Sequence, residues 1–195
     1  GAGIRFLLGS RMLMMLWLFS TFFALCLTAA AALLPLLAID RLGLPEGFYG
    51  VLLLTEALGA VVAALVVDRL RRRLGTGRTM AIAGIVGSLA FVFVWAVPTL
   101  WALAAALFVY AASIASWNVL IISLRQAAVP SHLLGRVHGT WRTLHWGAAP
   151  IGAVLGGLLG RVDVTLPFLL GGGASALVLL LLAPRFARLP EPEEL

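Results

Sequence analysis

Between Thr79 and Leu124 the chain runs for 46 residues without one formally charged side chain. A hydrocarbon core about 30 Å thick is crossed by about 20 helical residues at about 1.5 Å rise each. The stretch is therefore too long for one crossing and too apolar for a water-facing surface. Pro98 and Thr99 divide it, because proline disfavours helical geometry in the residue before it. The same ruler applied elsewhere predicts six spans, at about 12–39, 47–67, 79–97, 100–122, 139–160 and 165–183, with a Pro- and Glu-rich tail over 184–195. The expected fold is all-α: a polytopic membrane protein with one six-helix bundle over 1–195. Charged residues make up only 11% of the composition, well below a soluble domain's roughly one quarter.

The charges that do occur are unevenly placed. All fourteen basic residues are arginine, and the net charge is +6. In a soluble protein that balance would suggest nucleic acid; here the arginines occupy short gaps between apolar runs, so no nucleic-acid partner is expected. Five of them fall in "VVDRLRRRLGTGR", residues 66–78, read as the loop between the second and third spans. Six spans put both termini on one side, and that side holds all the arginines except Arg41 and Arg161. Short-loop arginine bias sets orientation, so both termini are expected in the cytoplasm and the protein in the cell membrane. Cys26 is the only cysteine and lies in an apolar run, which excludes a disulfide within the chain and a thiolate metal site. The first apolar run is too long for a signal-peptide core, and the start at Gly1 suggests a segment of something longer.

An internal repeat is visible. "LGAVVAALVVDR" from Leu58 and "IGAVLGGLLGRV" from Ile151 share Gly59/Gly152, Ala60/Ala153, Val61/Val154 and Leu65/Leu158 at an offset of 93. Apolar sequence of low complexity also produces such matches by chance. Yet the second span runs outside to inside and the fifth inside to outside, as expected for two inverted three-helix repeats in half of a secondary transporter.

Two stretches resemble the carboxy-terminal half of a major facilitator superfamily transporter, closest to bacterial drug and siderophore exporters. "ALVVDRLRRRLG" is similar to the loop after the second helix of a half, through Ala64, Asp68, Arg69, Arg72 and Arg73, with departures at Ala64 and Arg71, where glycines are usual. "LRQAAVPSHLLGRVHGTWRTLHWGAAPIGAVLGGLLG" resembles the exporter branch at Arg125, Pro130, Gly135, Arg136, Pro150, Gly152, Gly156 and Gly157. The resemblance implies that Asp68, Arg69, Arg72 and Arg73 form a cytoplasmic gate whose ion pairs break and reform as two halves rock. The bland reading of the same charges is a solvated loop whose pairs contribute about 0–1 kcal/mol. The resemblance also implies a partner: a missing amino-terminal six-helix half, or a second copy.

Single residues carry the remaining expectations. Glu56 is the only acidic residue well inside a span. A carboxylate at membrane depth is costly unless protonated, paired or facing water, which makes it the proton-coupling candidate; the alternative is a place near the outer interface. Asn118, with Trp117 beside it, shares a face with Ala111, Ala115 and Arg125, and serves either substrate or interhelical hydrogen bonding, the latter worth about 1 kcal/mol. His138, Arg142 and His145 share a face by helical spacing and line a cytoplasmic vestibule or sit at the interface. The two histidines stand about 10 Å apart along the axis, too far for one zinc with bonds near 2 Å, so no metal is expected. Gly59, Gly152, Gly156 and Gly160 are read as helix-packing positions.

The functional expectation is a secondary active transporter half: proton-coupled efflux, by antiport, of small lipophilic or siderophore-like molecules by alternating access, without a cofactor. Trp117, Asn118, Arg142 and His145 are the substrate-cavity candidates, within membrane lipid. Two other classes stay open, a non-transporting scaffold or assembly subunit and an integral-membrane enzyme. The enzyme reading lacks clustered acid, base or metal groups at one depth.

Overall fold

A computed structural model describes residues 2–194, and among them the regular structure is entirely helical. The helices are α1 (Ala2–Gly9), α2 (Arg11–Ala31), α3 (Tyr49–Leu74), α4 (Thr76–Ala96), α5 (Leu100–Ala128), α6 (Ser131–Gly147), α7 (Ala149–Gly160) and α8 (Leu166–Phe186). Five stretches are long and apolar enough to cross a membrane: Arg11–Arg41, Glu46–Leu74, Thr76–Ala96, Leu100–Ala128 and Leu166–Phe186.

Their boundaries follow from local chemistry. Ser10 caps α2 by accepting from the Leu13 amide at 3.3 Å, and Thr99 caps α5 by accepting from Ala102 at 3.2 Å. Pro98 separates α4 from α5, as its lack of an amide donor requires. Pro35 likewise interrupts the ladder beyond α2, and the chain continues as a π-helical turn over Leu36–Arg41. The stretch predicted as one span over 139–160 falls on two helices, the 17-residue α6 and the 12-residue α7, with the break at Ala148. Pro150 sits in the first turn of α7, where a missing amide costs nothing, so the chain breaks before it rather than kinking around it.

The arginine-rich segment read as a loop is helix. α3 continues through Asp68 and the arginines to Leu74, and Gly75 alone separates it from α4. Arginine is a good helix former, so nothing in "DRLRRRL" stops the helix. The turn rests on Gly75, whose φ of 87° is open to glycine and strained for a side-chain residue.

α4 packs against both α5 and α8, α3 against α5, and α2 against α7, α8 and α6. Two apolar clusters result, one around Leu16, Phe19, Met80, Leu124, Leu179 and Phe186, the other around Leu37, Val94, Leu103 and Phe168. Outward faces are equally apolar: Leu65 and Leu181 are 75% and 71% exposed. Water does not tolerate apolar surface on that scale, whereas lipid does. Two buried hydroxyls are satisfied within their own helices, Ser88 on Gly84 O and Ser113 on Val109 O, both at 2.8 Å. The protein is a multi-pass membrane protein.

Candidate functional site

Three helices supply the walls of a cavity of about 240 Å³. α2 contributes Ser20 and Phe23, α5 contributes Trp117, Asn118 and Arg125, and α6 contributes His138, Trp141, Arg142, His145 and Trp146. All four residues read from the sequence as substrate-cavity candidates therefore line one space. Asn118 and Arg125 lie seven residues apart on α5, two helical turns on one face. Arg142 and His145 lie three apart on α6, also on one face.

The lining residues differ in what they are free to do. Trp117 is buried; its Nε1 donates to Ser20 Oγ at 3.2 Å, and its ring packs on Phe19 and Phe186 with centroids 5.1 and 5.6 Å away. It forms a fixed wall. Asn118 is exposed. Arg125 is only 6% exposed, and its guanidinium carbon stands 5.0 Å from the centroid of the Trp141 ring. Among the described residues no carboxylate pairs with it. His145 has a buried Nδ1 without a hydrogen-bond partner there, and its ring meets Trp146 edge-on at 5.5 Å. Arg142 and His138 are exposed at the rim. The lining holds two arginines and two histidines but no Asp or Glu.

Glu56 lies elsewhere. On α3 it shares the face of the buried Leu52 and Gly59, directed at α5, and it is half-buried there. The structure thus does not bring the proton-coupling candidate into the cavity that gathers the substrate candidates.

The gate candidates sit on the last two turns of α3. Asp68 pairs with Arg72 one turn on and with Arg71 at 3.5 Å. Arg69 and Arg73 are exposed. Arg71, noted in the sequence only as a departure from the family pattern, is the centre of the cluster: it also reaches Glu193 at 2.9 Å and Glu191 at 3.6 Å. The packing glycines lie at helix crossings. A Cβ on Gly59 would overlap the carbonyl of Phe108 on α5; on Gly152, Thr28 and the Leu25 carbonyl of α2; on Gly156, the Ala29 carbonyl; on Gly160, the side chain of Leu33.

Compared with known families, the chain matches the profile of transmembrane secretion effectors over residues 1–195. It belongs to that family, within the major facilitator superfamily. No curated protein and no solved structure matches it. A transmembrane secretion effector is a membrane transport protein.

Sequence reasoning missed Ser20, Trp141 and Trp146 as lining residues and counted Arg125 among the charges that set orientation. The signal for Arg125 was present: it stands on the face of Asn118, at the end of a helix otherwise uncharged. Nothing local marks Ser20, which joins the site only through its contact with a tryptophan 97 residues away.

Proposed function

We propose that this transmembrane secretion effector is one six-helix half of a secondary transporter, exporting small lipophilic or siderophore-like molecules by alternating access in exchange for protons. Its partner is an amino-terminal half or a second copy, and both termini of the chain face the cytoplasm of a cell-membrane protein. The observation that carries the reading is the cavity: a space between α2, α5 and α6, mostly apolar and aromatic, with two arginines and no carboxylate in its lining.

The pairing of the helices supports it, since it is the pairing that an inverted repeat of α2–α4 onto α5–α8 would have. Exchanging α2 with α5, α3 with α7 and α4 with α8 turns the α3–α5 contact into α7–α2, turns α4–α5 into α8–α2, and leaves α4–α8 unchanged. The glycine contacts exchange too. Gly59 meets Phe108 as Gly152 meets Leu25, and Gly84 meets Leu179 as Gly172 meets Phe91, the last two pairs related by a common offset of 88 residues. Transporters of this plan rock one bundle against another around a central site. Glu56, at the α3–α5 crossing beside Gly59, is positioned to couple protonation to the packing of that crossing. The Asp68, Arg69, Arg72 and Arg73 cluster gates the cytoplasmic side.

The test uses everted membrane vesicles containing the full-length protein, an imposed proton gradient, and a panel of lipophilic fluorescent dyes with a catecholate siderophore. Uptake into the vesicles that collapses with a protonophore, and is absent in Glu56→Gln inserted at normal levels, is the expected result. Movement indifferent to the gradient sinks the proton coupling, and no movement of any probe sinks the transporter reading.

A further inference from the structure

The cavity's most costly feature is Arg125. A guanidinium does not lose its proton in a protein, and a buried charge without a counter-charge is strongly destabilising. Stacking on Trp141 offsets only part of such a cost. The remaining donors of Arg125 open into a cavity whose other polar groups are Asn118, His138, Arg142, His145 and the hydroxyl of Ser20. Each can donate a hydrogen bond, and none carries negative charge. The buried, unpartnered Nδ1 of His145 is a second polar atom left waiting in the same lining. The rest of the wall is aromatic or aliphatic: Phe23, Trp117, Ile121, Trp141 and Trp146.

Along α5 the two kinds of lining are separated. Asn118 and Arg125 stand about 10 Å apart along the helix axis, with the cationic end toward the arginine-rich termini. A molecule filling this space meets aromatic rings over most of its length and a bidentate cation at one end.

We propose that the cavity binds an amphipathic anion, with its carboxylate, phosphate or sulfonate on Arg125 and Arg142 and its apolar or aromatic body against Phe23, Trp117 and Trp146. This rests on the transporter reading for its biological meaning and narrows the substrate class within it. A planar guanidinium favours two-oxygen acceptors, and the tryptophan walls favour flat apolar bodies. A neutral lipophile leaves Arg125 uncompensated, and a cation meets like charge.

The test measures binding of three probes of one shape, 2-naphthoate, 2-naphthalenemethanol and 2-naphthylmethylammonium, to the full-length protein in phosphatidylcholine nanodiscs by equilibrium dialysis. Naphthoate is expected to bind at least about tenfold tighter than the alcohol, as bonds to a charged partner imply, and the ammonium weakest. Arg125→Gln removes the preference while the alcohol's affinity stays within about threefold, and Arg125→Lys, which keeps the charge but loses the two-pronged donor, retains only part of it. Arg142→Gln lowers the preference by a smaller factor and serves if Arg125→Gln does not fold. Equal binding of acid and alcohol overturns the proposal; it is also what an acidic side chain of a partner half seated on Arg125 would give. Phosphatidylglycerol in the nanodisc competes with naphthoate if the natural anion is a lipid headgroup and does not if it is a free solute. Anion preference without gradient-driven transport leaves the site standing and removes the exporter reading; transport without anion preference does the reverse.

Discussion

Glu191 of the tail closes the first turn of α4 by gripping Thr76 twice: Oε1 accepts from the Thr76 amide at 2.8 Å and Oε2 from its hydroxyl at 2.6 Å. The first amides of a helix have no partner within it, and they carry the positive end of the helix dipole. Gly75, at the cap position, has no side chain to serve them, so a carboxylate 115 residues away does so. The same tail reaches α3 through Arg71, which fastens the α3–α4 junction to the end of α8.

Glu191→Ala is therefore expected to lower stability by about 1 kcal/mol, the usual loss when a helix cap is removed. Thr76→Val, which deletes one of the two bonds, is expected to cost less. The double variant should fall short of the sum, because both changes act on one contact. Detergent-solubilised protein unfolded by heat or by rising dodecyl sulfate gives all three values. Strict additivity would mean that the two groups do not meet.

Asp163 closes the opposite end. It accepts from the Thr165 hydroxyl at 2.6 Å and amide at 2.7 Å, and from Arg41 at 2.8 Å. Those contacts, led by the Thr165 hydroxyl, hold its carboxyl down at about 2. Because the folded value lies below that of an unfolded aspartate, near 3.9, the stabilisation is complete above about pH 5 and disappears as pH falls toward 2. Asp163→Asn is expected to flatten this acid limb of the melting temperature between pH 5 and 2, with the effect weakened by salt since the pair is exposed. An unchanged limb would assign the acid sensitivity to other groups.

Gly59 and Gly157 separate packing from helix propensity. The chain at Gly59 runs against the Phe108 carbonyl, whereas a Cβ on Gly157 meets nothing within 4 Å. Gly59→Ala has to push α3 off α5 at a cost of about 1–3 kcal/mol, as overpacking does. Gly157→Ala is expected to leave stability unchanged or slightly raised, since alanine is the better helix former. Equal effects at the two sites would show that the α3–α5 crossing is looser than the structure has it.

Much of this architecture was written in residues whose effect is local. Pro98 and Thr99 end one helix and cap the next without help from the rest of the fold, and charge-free length alone marks the spans of α2, α4, α5 and α8. Where the sequence misled, the deciding partner was distant or the local signal pointed the other way. Charges at 68–73 suggested a loop, yet an Asp followed by Arg at three and four residues is also a pairing that supports a helix, and only Gly75 breaks it. The cavity was half legible. Helical spacing put Asn118 with Arg125 and Arg142 with His145, but spacing within one helix cannot say which helices face each other. Neither the burial of Arg125 over Trp141 nor the removal of Glu56 to the α3–α5 seam has a local signature.

Orientation is the expectation on which the words inside and outside depend, and two exposed positions test it. Val162, 79% exposed, lies between α7 and α8 with Asp163, and Arg188 is exposed beyond α8 at the arginine-rich end. Arg41 is one of only two arginines at the first end, and it is already paired with Asp163; at the second end Arg5, Arg11, Arg69, Arg73, Arg78, Arg185 and Arg188 have no carboxylate partner among the described residues. The positive-inside effect counts arginines near the span ends rather than net charge, and by that count the asymmetry is far larger than a single substitution can reverse. In a Cys26→Ala background, Val162→Cys on intact cells is expected to react with a membrane-impermeant maleimide, and Arg188→Cys only after permeabilisation. The opposite pattern would place Arg125 and the cationic end of the cavity toward the exterior. An anion would then enter from outside, and the same cavity would serve uptake rather than export.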